Sequence, residues 1–326
     1  MSPRLAVLAT GGTIASTGAH GAVPTRGVAD LVESAVADMS VDIAVLEDVR
    51  QVLSYAMTPD DMWSVIKRAD EHAAAGKVDG VVVTHGTATL PETSFLADLT
   101  WSHDAPIVFT GAMRTADQAD TDGPRNVRDA LLVAAAHDTR GCGALVVADG
   151  DVHDARHVIK EHGSAVDSFR SGKIGTLGFV DEGIVFMNRS RRDRHVFGIA
   201  RPVVNVPLIK AYSGMDDAFL RVAAEAGSAG LVIECFPGRG GMPPPLLSAV
   251  KDITAAGIPI LLAGAAEGRL SQKYGGPGGA RTFVDSGAIL AGDLHPVKAR
   301  LLLMVLLAWA GRDRERIVDA VRVVAP

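Results

Sequence analysis

Short aliphatic runs recur along the first half of the chain, and most of them stop at glycine. Leu5 to Ala9 leads into Thr10-Gly11-Gly12-Thr13, Gly80-Val81-Val82-Val83 into Thr84-His85-Gly86-Thr87, and Pro106-Ile107-Val108-Phe109 into Thr110-Gly111-Ala112. Apolar runs this short, closed by glycine, read as buried strands that end in tight turns. Leu145 to Ala148 is a fourth such run, ending in Asp149-Gly150, and Val41 to Leu46 alternates as a strand should. Between the strands the apolar positions take helical spacing, as in Val28 to Ala37. Thr58-Pro59-Asp60-Asp61 opens another helix, with an N-cap threonine, proline at the first helical position and acids in the first turn. That helix runs to about Ala75 and stops before Gly76. The segment Ser16 to Gly27, rich in small residues, reads as a mobile loop.

Strands alternating with helices predict a doubly wound, mostly parallel α/β sheet with helices on its faces. The same rhythm returns on a smaller scale in the second half. Leu231 to Cys235 and Ile258 to Leu262 are strands, and helices are expected at Pro244 to Ala256 and Pro296 to Ala310. Asp293 is the expected cap of the second of these and Gly311 its stop. A last amphipathic helix covers about Asp313 to Val323. The basic tract Arg189 to Arg194, with Arg191 and Arg192 inside it, reads as a solvated linker face. The predicted organisation is a larger N-terminal domain at 1–190, a linker at 191–205 and a smaller C-terminal α/β domain at 206–326.

Composition narrows the chemistry. At 326 residues and 48% hydrophobic, the chain has ample material for a core in one large domain or two. A formal net charge of −6 argues against nucleic acid or a membrane surface as partner. The two cysteines, Cys142 and Cys235, sit beside strand-like runs far apart in sequence and read as buried thiols. No cationic segment followed by a long apolar one opens the chain, and Leu301 to Ala310 is too short to span a bilayer. The expected location is the cytoplasm. Dinucleotide, P-loop and Cys-x-x-Cys motifs are absent. His153 and His157 stand four apart, but their polar setting after Gly150 suggests a loop, and they read as two solvated histidines rather than metal ligands. No cofactor or metal is expected.

What remains is a set of threonines at glycine turns. In open parallel sheets ligands bind outside the carboxyl ends of the strands, which is where Thr13, Thr87 and Thr110 fall. A threonine hydroxyl is a weak nucleophile until a neighbouring base and an oxyanion site activate it. Glycine turns supply bare backbone N–H donors for such a site. The residues therefore point to acyl transfer or amide hydrolysis with a hydroxyl nucleophile.

Thr10-Gly11-Gly12-Thr13-Ile14-Ala15 and Thr84-His85-Gly86-Thr87 resemble the two signatures of the bacterial-type L-asparaginase and glutaminase family. The likeness continues through Thr110-Gly111-Ala112-Met113-Arg114, Asp122-Gly123-Pro124, Ala155-Arg156 with Lys160, and Lys298-Ala299-Arg300, so it spans nearly the whole chain. It implies that Thr13 is the nucleophile and that Thr87 and Lys160 complete the catalytic group. It further implies that Ser54 holds the substrate α-carboxylate, that Tyr55 touches the substrate, and that Ala112 offers a backbone carbonyl near the leaving amide. Gly12 and Gly86 line the same site, and His85 takes a structural part in its turn. The family's sites lie at the interface of intimate dimers, so a homo-oligomer built as a dimer of dimers is expected. The partner is a small-molecule amide.

One departure bears on specificity. Where the family pattern has aspartate after Thr-His-Gly-Thr, this chain has Ala88, and Pro91 precedes Glu92. The family's aspartate binds the substrate α-ammonium and partners the lysine. The usual loop tyrosine is also missing, and the second-domain Gly-Asn turn reads Gly238-Arg239-Gly240-Gly241. The expectation is an asparaginase-like amidohydrolase that forms a threonine acyl-enzyme on a substrate without a free α-amine, such as a cyclic imide, a lactam or a simple amide. Two alternatives stand beside it. One is an ordinary L-asparaginase that holds the amine with other acids, for which Glu234, Glu267 and Asp285 are available. The other is a non-catalytic small-molecule-binding protein of the same fold.

Overall fold

A computed structural model describes residues 2–18, 21–36, 39–189 and 194–326. They form two compact units, Met1–Val196 and Phe197–Pro326.

The first unit runs β1 (Arg4–Gly11), β2 (Ser16–Thr17), β3 (Val23–Pro24), α1 (Val28–Glu33), β4 (Asp42–Val52), α2 (Pro59–Ala74), β5 (Gly80–Thr84), α3 (Leu90–Asp98), β6 (Ile107–Thr110), α4 (Gly123–Ala135) and β7 (Ala144–Ala148). It closes with β8 (Asp151–Asp154), β9 (Ile159–Lys160), β10 (Phe169–Arg170), β11 (Gly178–Asp181) and β12 (Ile184–Met187). Eight of these strands make one sheet in the order β12-β11-β8-β7-β6-β5-β1-β4. The five from β4 to β7 are parallel, and β8, β11 and β12 extend the sheet antiparallel. Leu5, Val7 and Ala9 of β1 share a core with Val28, Leu31 and Val32 of α1 and with Val127, Ala130 and Leu131 of α4. Their neighbours in β1 point to the other face, where α2 packs on α3. Covering both faces requires strands that are apolar throughout, and β5, β6 and β7 are buried at every residue. Edge strand β4 alternates instead between exposed and half-buried positions along most of its length.

The second unit repeats the theme with β13 (Leu208–Lys210), α5 (Ala218–Glu225), β14 (Leu231–Glu234), α6 (Leu246–Ala255), β15 (Ile260–Ala263), α7 (Ala280–Asp285), β16 (Ile289–Leu290), α8 (Pro296–Ala310) and α9 (Arg314–Val324). Its four strands are all parallel, in the order β13-β14-β15-β16. The doubly wound, parallel-rich α/β architecture expected from the alternation of strands and helices is the one observed.

Local expectations fared unevenly. Thr58 caps α2 as its sequence requires, accepting from the Asp61 N–H at 3.2 Å while Asp61 accepts from the Thr58 N–H at 3.0 Å. Both cysteines are free and buried. Four readings need correction. Ser16 to Gly27 is not simply a loop: Ser16 and Thr17 pair antiparallel with Pro24 and Val23. The N-cap residue of α8 is His295 rather than Asp293. His153 is not solvated: it is 1% exposed on β8, and its Nδ1 is 2.8 Å from Ser171 Oγ. His157 is half-buried, with its Nδ1 2.9 Å from Asp154. Among the described residues of the basic tract, the solvated reading holds for Arg189 and fails for Arg194. The Arg194 side chain is 8% exposed and donates to the carbonyls of Asp98 and Trp101. Arg191 and Arg192 lie outside the described residues, as does the predicted helix end at Ala37. No described helix is long and apolar enough to cross a membrane.

Candidate active site

The strand order places the site before any side chain is considered. Read from β4 to β7, the parallel strands run second, first, third, fourth, fifth. Chain direction across the sheet therefore reverses between β1 and β5, and in open α/β sheets ligands bind in the crevice at that switch point. The turns after β1 and β5 carry Gly12-Thr13 and Gly86-Thr87. They are neighbours because β1 pairs with β5 along its length, and the Thr10 hydroxyl donates to the Thr84 carbonyl at 3.0 Å where the strands end.

The turns approach closely because they lack side chains. Gly11 and Gly12 have φ of 90° and 80°, conformations that cost a residue with a Cβ. A Cβ on Gly12 would stand 2.3 Å from the Gly86 Cα, and one on Gly86 would stand 2.6 Å from Ser54 Oγ. Gly86 thus rests against both Gly12 and Ser54. Thr13 follows on a single 3-10 turn, Thr13–Ala15, half-buried, and the Ser16 hydroxyl closes that turn onto the Gly12 carbonyl at 2.8 Å.

Ser54 comes from the turn that ends β4, and its Oγ accepts from the Ala88 N–H at 3.2 Å. The Thr89 hydroxyl donates to the Ser54 carbonyl at 2.9 Å, so the β4 turn is tied to the start of α3. Ala88 is exposed, as is Tyr55 at 75%. Behind Thr87 lies His85, fully buried and pushed down to about 4 by that burial. A carbonyl only accepts, so the His85 Nδ1–H donates to the Gly86 oxygen at 2.8 Å, and Nε2 then accepts from the Thr93 hydroxyl at 2.9 Å. One neutral imidazole therefore holds the turn from beneath and anchors it to α3.

Lys160 enters from β9, where it pairs in register with the buried Phe169. Its ammonium donates to Thr87 Oγ1 at 2.8 Å. Burial pulls the amine below the usual lysine range. Among the described residues, no carboxylate lies in ion-pair range to oppose that shift.

The third turn, Gly111-Ala112, is held by residues whose part was not read from the sequence. A Cβ on Gly111 would meet the His85 carbonyl at 2.4 Å, so this turn too is pressed against the second. Asn126 Nδ2 donates to the Gly111 carbonyl at 2.9 Å, and Asp122 accepts from the N–H groups of Met113 and Arg114. Ala112 is buried at 1% exposure. The signal for Asp122 was present, an aspartate before Gly-Pro at a helix start. No local pattern marks Asn126, which acts across fifteen residues. The structure thus brings Gly12, Ser54, Gly86, Thr87, Ala88 and Lys160 together, with Thr13 following Gly12 and Ala112 on the adjacent turn.

Residues 4–192 match the family described as asparaginase, N-terminal, and residues 205–320 match the glutaminase/asparaginase C-terminal domain. An L-asparaginase of Bacillus licheniformis is 33% identical over 94% of this chain and 96% of its own. A probable L-asparaginase of Deinococcus radiodurans is 38% identical over 97% of this chain and 96% of its own. Among solved structures, a probable cytoplasmic L-asparaginase from Campylobacter jejuni superimposes with a TM-score of 0.87 at 26% identity, covering 98% of this chain and 99% of that one.

Proposed function

The chain belongs to the asparaginase family and is a hydrolase of carbon–nitrogen bonds, and from that premise we propose that it hydrolyses the side-chain amide of L-asparagine through a threonine acyl-enzyme. The observation that carries the reading is the Lys160 Nζ to Thr87 Oγ1 contact at 2.8 Å, on a turn packed against the one that bears Thr13. Relatives named L-asparaginase along the full length of the chain support the substrate.

Thr13 Oγ1 attacks the amide carbonyl, whose oxygen gains charge as the bond forms and is stabilised by whatever donors the site aims at it. The C–N bond breaks, ammonia leaves with the proton from the attacking hydroxyl, and the acyl group remains on Thr13. Water then adds to this ester. Its proton passes by way of the Thr87–Lys160 pair to the Thr13 oxygen as the ester C–O bond breaks, so Thr13 regains its hydroxyl and aspartate departs. Burial lowers the lysine's hold on its proton and so favours the neutral form that can accept one. Ser54, held by the Ala88 N–H, takes the substrate α-carboxylate, with Tyr55 beside it. The chemistry needs no metal or cofactor. We place the protein in the cytoplasm, where its two free thiols would stay reduced, and expect a homo-oligomer, which light scattering on a sizing column would measure.

Ala88 favours a second reading of specificity. With a methyl group where a carboxylate would hold the α-ammonium, a substrate lacking that charge, such as a cyclic imide, a lactam or a simple amide, meets no unpaired acid. A steady-state panel of asparagine, glutamine, succinimide and a simple amide separates the two. The asparaginase reading expects asparagine to have the highest kcat/KM. If an uncharged amide or imide exceeds it tenfold or more, the second reading replaces it. Ala88→Asp restores an anion next to Thr87, and under the second reading it raises asparagine turnover by about tenfold or more, one charge-assisted hydrogen bond's worth. Trapping a covalent adduct on Thr13 by mass spectrometry excludes a protein that binds without turnover.

A further inference from the structure

We propose that the second unit carries a binding cavity for a small organic anion with an apolar body. Beside β16 and α9 lies a cavity of about 450 Å³, within the range of ordinary ligand sites. Arginine reaches it from two sides. Arg314 and Arg322 sit on one face of α9, two helical turns apart with Val318 between them, and Arg269 comes from the segment after β15. The floor is aliphatic, made by Val284, Ile289 and Leu290. No side chain that lines the cavity is acidic; the one anionic group there is the α-carboxylate of Pro326, which among the described residues forms no ion pair with the three arginines.

These guanidiniums are not explained by packing or by charge pairing. The core contact of α9 is made by Ile317, Val321 and Val324, so the helix needs no arginine to stay docked. Arg314 donates to the Gly287 carbonyl at 3.3 Å, which orients the side chain without neutralising it. Arg322 lies 3.4 Å from Asp319, but both are 75% exposed, so the pair is screened and weak. Among the described residues neither Arg269 nor Arg314 is ion-paired. The chain as a whole is negative, at −6, so the attraction here is local. Guanidiniums bind carboxylate and phosphate alike through paired N–H donors, and the aliphatic floor rewards a ligand that carries a ring or short chain behind the charge.

The test is titration calorimetry on the full chain at low salt. Benzoate and phenyl phosphate are the probes, with benzyl alcohol as the body without the charge and inorganic phosphate as the charge without the body. At least one organic anion should bind once per chain, and both controls should be about tenfold weaker or worse. Which anion is tighter tells whether the headgroup is a carboxylate or a phosphate. The double variant Arg314→Gln/Arg322→Gln, at exposed positions, should weaken the tighter probe by about tenfold while leaving asparagine hydrolysis and the melting temperature unchanged. Arg269→Gln should weaken it from the opposite side. Equal affinity in wild type and double variant, equal binding of a control, or no binding of either organic anion at millimolar concentration would each overturn the proposal. Binding at the threonine turns of the first unit would not respond to these variants.

Discussion

Lys160 and His85 show how burial sets the chemistry of single groups in this protein. The Lys160 amine lies below the ordinary range because it is half-buried and faces a threonine hydroxyl rather than a carboxylate. The alkaline-side rise in kcat/KM that reports this lysine should therefore fall below the ordinary lysine pKa of about 10.4. Ala88→Asp should move it back up, since a nearby anion favours the charged form. Lys160→Arg keeps the positive charge and a donor for Thr87 but cannot give up its proton. It should lower kcat by about two orders of magnitude or more with an unchanged melting temperature. His85 is a stability group. It is neutral in the folded protein down to about pH 4, whereas in the unfolded chain it takes a proton below about 6.5. Its contribution is fully present above 6.5 and is lost as the pH falls through about 4, since in that window only the unfolded chain binds the proton. The loss amounts to roughly 3 kcal/mol. His85→Asn, which keeps a donor toward the Gly86 carbonyl but does not titrate, should flatten that part of the stability-against-pH curve in denaturant titrations.

At the scale of elements, the site is made by strand ends that touch. Gly12→Ala places a Cβ 2.3 Å from the Gly86 Cα, in a backbone with φ of 80°. The first turn must then move away from the second. The expected cost is about 2 kcal/mol in stability and at least a hundredfold in kcat, read from chemical denaturation and steady-state rates. The three glycine-closed strands were legible in the sequence because a buried parallel strand leaves a short, unbroken apolar run. The residues that pin the turns from behind were less so. Thr93 reaches His85 from the next helix, and Asn126 reaches Gly111 from the helix after that. Such contacts have no periodicity to betray them. The ribbon of β2 and β3 and the two-residue strand β9 were missed for a related reason: two paired residues are too few to set a pattern.

For the whole molecule, the segment leaving the first unit is fastened to it by a buried pair. Arg194 Nη1 lies 3.4 Å from Asp98, with the two side chains 8% and 4% exposed, and the guanidinium packs where a Cβ on Gly143 would stand 2.2 Å from it. Arg194→Leu should lower stability by roughly 3 kcal/mol, because it removes a buried charge partner and two carbonyl contacts. A thermal melt would show it, while kcat should change little, since Arg194 makes no contact with the threonine turns.

The sequence by itself determined the class of the fold, the ends of the site-bearing strands and the N-terminal cap of α2, and it singled out the threonines and the lysine as candidates. Each is written in a local pattern: apolar run, glycine, capping residue, motif. Only the tertiary structure decided that β1 and β5 are neighbours across the switch point, that Gly12 rests on Gly86, that Lys160 reaches Thr87 across seventy-three residues, and that His153 and Arg194 are buried. Those facts depend on strand order and on what packs against what. Chain contacts at long separation set both, and no local stretch of residues encodes them.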